Sequence, residues 1–228
     1  MAEPACSPDG TKIAYTDRVV SRLRIFVVNS DGTDATGFTS TPADAREPAW
    51  SPDGTKIVFY ADNNSGCPFS FRCPLYLLDV ETGTVSEVTV VARPPLNPGF
   101  SFDGSQIIFG QEGQGMWIVN TDGSGLTEVP LPDLGQFLYQ EWSPVDNRIF
   151  FYGSEGGDFY WFTVLPDGSN LINRGPAYMS ASAWSPAASW VAVWGTPRSL
   201  RRYSTVTWAD SGGWYPEVSP SSSLSWCP

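Results

Sequence analysis

Apolar residues in this chain come in short blocks. Examples are Ile57-Val58-Phe59-Tyr60, Ile107-Ile108-Phe109 and Ile149-Phe150-Phe151-Tyr152. Glycine, proline or small polar residues bound each block. Blocks this short, rich in β-branched and aromatic side chains, predict buried strands joined by tight turns. No stretch sustains a 3.6-residue period, which excludes a helical repeat.

The blocks recur in register. Five segments share one pattern: ACSPDGTKIAYTD from Ala5, AWSPDGTKIVFYAD from Ala49, GFSFDGSQIIFGQE from Gly99, EWSPVDNRIFFYGS from Glu141 and AWSPAASWVAVWGT from Ala183. Their reference serines are Ser7, Ser51, Ser101, Ser143 and Ser185, spaced by 44, 50, 42 and 42 residues. Pro-Asp-Gly supplies a fixed φ, a side chain that bonds local backbone and a residue free to take positive φ. A second unit follows in each copy, as in RIFVVNSDG and GMWIVNTDG, and ends in a hairpin turn. Four strands per repeat of this length predict an all-β, five-bladed β-propeller with four-stranded antiparallel blades. Leucine-rich repeats and β-helix coils are shorter, so neither fits.

Trp-Ser-Pro-Asp-Gly at residues 50–54, followed by a short β-branched or aromatic strand, resembles the TolB-like propeller repeat, a relative of WD repeats. The resemblance covers nearly the whole chain. Copies four and five depart from it, with Val145-Asp146-Asn147 and Ala187-Ala188-Ser189 in place of the Asp-Gly turn. Similar repeats occur in periplasmic TolB, in peptidase propeller domains and in some polysaccharide lyases. The resemblance therefore implies the fold and leaves the function open.

Repeat phase also predicts how the ring closes. Little chain precedes Ser7, whereas the last segment, SPSSSLSWCP at 219–228, reads as an innermost strand with no blade to follow it. We expect it to complete the first blade, making residues 1–228 one domain closed by pairing of its N- and C-terminal segments. The alternative is a piece of a longer propeller. Cys6 and Cys227 occupy nearly the same phase and are expected to pair. Cys67 and Cys73 flank the insertion in the long second copy and are expected to form the other bridge. An even cysteine count without a C-x-x-C pair fits an oxidising compartment, so an exported protein is expected. The start, MAEPACSPDG, has no apolar core and is not a signal peptide.

Composition narrows the chemistry. The net charge of −11 argues against nucleic acid as a partner. No apolar run is long enough to predict a membrane span. The absence of histidine removes histidine triads, dyads and His-ligated zinc. It also counts against the lyase branch, whose members use histidine as the resemblance has it. No cofactor and no metal are expected. The turn NSDGTD at 29–34 has alternating oxygen ligands of the calcium-loop kind, but the recurring hairpin turn accounts for it. The basic cluster Arg198, Arg201 and Arg202 reads as a solvated loop.

Candidate ligand residues are those that break the repeat's rules. Four places before each reference serine, or its phase equivalent, stand Glu47, Asn97, Tyr139, Ala181 and Ser223, and two places before stand Ala49, Gly99, Glu141, Ala183 and Ser225. This is no ring of carboxylates, so no catalytic residue is assigned; carboxylate-dependent glycoside hydrolysis is the enzyme alternative. Glu141 is singled out because other copies are small there; the ordinary alternative is a hydrogen-bonded or rim-exposed charge. Trp50, Trp142, Trp184 and Trp226 share one phase and are expected in the core. Trp190 falls where other copies carry Lys12, Lys56, Gln106 and Arg148, so it is expected to be more exposed than those tryptophans. Trp190 with Trp214 and Tyr215 could stack on sugars or anchor a protein, although isolated exposed aromatics are also ordinary. The expected function is a non-catalytic binding scaffold for a protein partner; a carbohydrate-binding or carbohydrate-active propeller is the alternative.

Overall fold

The computed structural model describes residues 4–61, 72–111, 114–132, 134, 137–177, 179–185, 187, 189–195, 199–205 and 210–214. These residues form five four-stranded antiparallel sheets arranged as a ring, and none of them is helical. The first blade holds β1 (Ala5–Cys6), β2 (Lys12–Val19), β3 (Arg22–Asn29) and β4 (Thr36–Phe38). The second holds β5 (Ala45–Trp50), β6 (Lys56–Ala61), β7 (Cys73–Asp79) and β8 (Val85–Val91). The third holds β9 (Leu96–Phe100), β10 (Gln106–Gln111), β11 (Gly115–Asn120) and β12 (Thr127–Glu128). The fourth holds β13 (Phe137–Trp142), β14 (Ile149–Glu155), β15 (Asp158–Val164) and β16 (Ile172–Pro176). The fifth holds β17 (Met179–Trp184), β18 (Trp190–Gly195), β19 (Ser199–Ser204) and β20 (Asp210–Trp214). Each sheet is a simple meander, and the first strands of successive blades lie against one another.

The Ser-Pro-Asp-Gly turn assigns each residue a task. In the second copy the Ser51 hydroxyl donates to Asp53 Oδ1 at 2.6 Å, and that oxygen also accepts from the Thr55 amide at 3.0 Å. The Lys56 amide donates to Ser51 Oγ, and Gly54 turns the chain with φ of 70°. Ser7-Asp9-Thr11 and Ser101-Asp103-Ser105 repeat the arrangement. Copies four and five lack the Asp-Gly pair but keep the frame, because Ser143 N still donates to Arg148 O and Ser185 N to Trp190 O. The Asn29–Asp34 turn likewise uses its oxygens internally: Asp31 Oδ1 accepts from the Thr33 amide and hydroxyl.

Packing occurs between blades, which is why the strand runs are apolar on both faces. Trp50 joins Ile25 and Phe38 of the first blade to Phe59 and Leu78 of the second. Val58, Leu75 and Leu77 of the second meet Phe100, Phe109 and Val119 of the third. Two hairpin glycines nest on the preceding blade. A Cβ at Gly123 would overlap the Val88 carbonyl oxygen, and one at Gly168 the Pro130 carbonyl oxygen.

Several expectations are corrected or refined. Arg201 and Arg202 lie in strand β19, paired with Val193 and Ala192, and not in a loop; ladder pairing overrides the polarity of the pair. The first blade has an innermost strand of its own, the two-residue β1, before any terminal segment joins it. Trp50 and Trp142 are buried, as their phase predicts, whereas Trp184 and Trp190 are both half-buried. Trp226, Tyr215, Cys67, Cys227, Arg198 and segment 219–228 lie outside the described residues.

Candidate functional site

The innermost strands β5, β9 and β13 break at one shared phase. Pairing slips between Arg46 and Ala49, opposite Ile108 to Gly110 in the third blade, and between Leu138 and Glu141. Each slip holds a non-glycine residue in the left-handed region: Glu47 at φ 51°, Asn97 at 47° and Tyr139 at 54°. Asparagine tolerates this region, but glutamate and tyrosine do so at a cost of about 1–3 kcal/mol. Bulges re-aim side chains and cluster beside functional sites. Their recurrence in three consecutive blades marks a built feature of the ring.

The bulges lie at the end of the inner strands remote from the Ser-Pro-Asp-Gly turns. Arg46 pairs with Tyr60 late in β6, whereas Trp50 pairs with Ile57 beside the turn. At that end, which we call the mouth, side chains stitch neighbouring inner strands together. Glu47 Oε2 accepts from the Asn97 amide at 2.5 Å. Gln140 Nε2 donates to the carbonyls of Leu96 and Asn97, at 2.6 and 2.9 Å. Gly110 leaves room for that amide, since a Cβ there would press on Gln140 Oε1. Nearer the turns, the Trp50 indole donates to the Ala5 carbonyl at 2.9 Å.

An aromatic wall stands beside the acid. Tyr139 meets Tyr152 edge-on at 6.4 Å, and Tyr152 stacks on Phe159 at 4.9 Å. The Tyr139 hydroxyl is pushed up, first by burial and then by the negative charge of Glu47. Tyr152 is raised by burial and by Tyr139. The mouth therefore brings together a carboxylate, a phenol that feels its charge, and stacked rings, braced by the buried Gln140 amide.

Glu141 lies deeper on β13, opposite Phe150. Its carboxylate accepts from Ser182 Oγ at 3.1 Å and from the Trp184 amide at 3.2 Å, both in the next blade. The residue keeps some accessible surface, yet burial pushes its acid up to about 8 against the pull of those two hydrogen bonds.

The other expected ligand residues do not converge there. Trp190 pairs with Ser204 at the turn end of its blade, and Trp214 pairs with Leu200 at the mouth end. Four residues of strand separate those levels, roughly 13 Å. Asn97, Tyr139 and Gln140 are not acids, and only the fold brings them to one end with Glu47. The usable signal was the shared phase of Glu47, Asn97 and Tyr139.

The opposite end carries the acidic turns. Asp9 and Asp53 are held down at about 2, mainly by the hydroxyls of Ser7 and Ser51, and Asp31, Asp79, Asp103, Asp122 and Asp167 are lowered by similar turn bonds. Among the described residues no three His, Cys, Asp or Glu side chains are grouped to hold a metal ion.

The profile of the TolB beta propeller domain matches residues 1–188. The chain belongs to the TolB β-propeller family. No curated protein sequence matches it significantly. Among solved structures, TolB from Acinetobacter baumannii superposes with a TM-score of 0.74 at 18% identity, over 91% of this chain and 52% of that one. A TolB assignment from Agrobacterium tumefaciens gives 0.64 at 21%, over 75% of this chain and 63% of that one. This TolB-type chain thus spans less than two thirds of the length of either. Oligogalacturonate lyase from Vibrio parahaemolyticus gives 0.58 at 14%, over 91% and 75%. One fold therefore serves TolB proteins and a lyase, and function must be argued from the site.

Proposed function

We propose that this TolB-type propeller is a non-catalytic binding scaffold that seats a protein partner at the mouth of its ring, with Glu47, Asn97 and Tyr139 as contact residues and the buried Gln140 as the brace beneath them. The observation that carries this is the row of three left-handed bulges at one repeat phase. They place acid, amide and phenol at the same end of adjacent blades. Tyrosine-rich surfaces backed by buried aromatics are typical anchors for protein partners.

A carbohydrate ligand is the second reading, favoured by the stacked Tyr152–Phe159 pair. Glu47 and the net charge of −11 oppose a polyanionic sugar, so this reading concerns neutral glycans. Trp190, Trp214 and Tyr215 remain secondary candidates for it.

We infer that the protein works outside the cytosol. On this reading its four cysteines are paired, whereas cytosolic thiols are kept reduced. The pairings we propose are Cys6–Cys227 and Cys67–Cys73.

Probing a peptide array and a neutral-glycan array with the protein and its Tyr139→Ala variant separates the two readings. Peptide binding lost in the variant supports the scaffold. Glycan binding without peptide binding overturns it.

A further inference from the structure

Glu141 stands where the other copies have Ala5, Ala49, Gly99 and Ala183. It is the one copy with a side chain long enough to cross into the next blade from this phase. The carboxylate ends on Ser182 Oγ and on the Trp184 amide, both on β17. Its surroundings are aromatic. Phe150, its cross-strand partner, stacks on Trp161 at 4.6 Å and meets Trp184 edge-on at 5.9 Å. The indole nitrogens of Trp161 and Trp184 are buried without hydrogen-bond partners, so this seam is short of polar compensation.

Among the described residues no cation answers the carboxylate. Burial, the Ser182 hydroxyl and the Trp184 amide are what act on it. The strands packed against β13 offer little else. β9, β10, β11 and β17 have no ionisable side chain. β14 carries Tyr152 and, at its far end, Glu155, while β13 itself carries Tyr139. Tyr152 and Tyr139 are both raised above the ordinary tyrosine range and are neutral at physiological pH.

We propose that Glu141 is a proton-dependent latch between the fourth and fifth blades, closing their seam as a neutral acid and loosening it as an anion. Neutral, it donates its proton to Ser182 Oγ while the other oxygen accepts from the Trp184 amide. Ionised, it leaves a charge among rings with only two donors, and burial of an unpaired charge is costly. The sign follows from the shift. The folded group titrates at about 8 and the free group at about 4.5, so ionisation begins to cost stability above about 4.5 and the cost is complete above about 8. Blade five is the element released, because both partners of Glu141 lie on its inner strand.

The test is amide hydrogen exchange between pH 6 and 9, corrected for intrinsic rates, on the parent protein and on Glu141→Gln. In the parent, protection of β17–β19 should fall roughly tenfold from pH 7 to 9 while β6 and β7 keep theirs, as expected for about one unit of linked titration. Glu141→Gln should hold its protection throughout. Glu141→Ala, which installs the residue of the first, second and fifth copies, serves the same comparison if the glutamine variant misfolds. Identical pH dependence in parent and variants, or an equal loss in every blade, would overturn the latch.

Discussion

At the scale of single residues, the turns are held by bonds between sequence neighbours, whereas the inner strands are held by side chains that reach across blades. Ser-Pro-Asp-Gly-Thr is local, so each bond from Ser51 to Lys56 follows from neighbours in sequence. Glu141 was conspicuous as a large acid in a small-residue phase. Its partners Ser182 and Trp184 lie 41 and 43 residues away, and only the ring brings them together. The local bonds support a prediction. Ser51→Ala removes the hydroxyl that bonds Asp53 and receives the Lys56 amide, at an expected cost of about 1 kcal/mol. A thermal melt should show a midpoint lower by about 2–4 °C. The same change should make the protein more acid-tolerant relative to its own neutral-pH stability. Asp53, held at about 2, contributes stability that is present above its unfolded value and lost as pH falls through about 2, and the substitution removes part of that contribution.

At the scale of elements, strand count and hairpin order followed from periodicity, but the bulges did not. A bulge depends on how two strands register, and Glu47, Asn97 and Tyr139 share a repeat phase but no residue type that marks one. The β2–β3 hairpin holds a related strain. Val19 pairs with Arg22 across a two-residue turn, and Val20 sits in it at φ 61°, 98% exposed. A β-branched residue there is an outlier, and glycine is what such turns prefer. Val20→Gly should therefore stabilise the protein by about 1 kcal/mol, because no buried contact is lost with the side chain. Chemical denaturation should show a higher midpoint with an unchanged slope. A lower midpoint would mean that Val20 makes contacts that its exposure hides.

At the scale of the molecule, five in-register copies were enough for the blade number, since each copy is one complete sheet. Closure is harder to read, because it depends on the chain ends and β1 is only two residues long. The proposed Cys6–Cys227 bridge would tie that short strand to the C-terminal segment. A loop spanning nearly the whole chain contributes about 5 kcal/mol in the chain-entropy model. Cys227→Ser, or reductant on the parent, should lower the unfolding midpoint by several degrees, and the two treatments together should add little if the second bridge matters less. An unchanged midpoint in Cys227→Ser would refute closure through this bridge.

In the proposed function the mouth, and not the turn face, meets the partner. The most direct measurement places a photoreactive side chain at position 139 in one variant and at position 190 in another, then irradiates each in an extract of the source cells. A discrete crosslinked protein from position 139, with none from position 190, is the predicted result; crosslinking from position 190 alone, or none from position 139, would contradict the account.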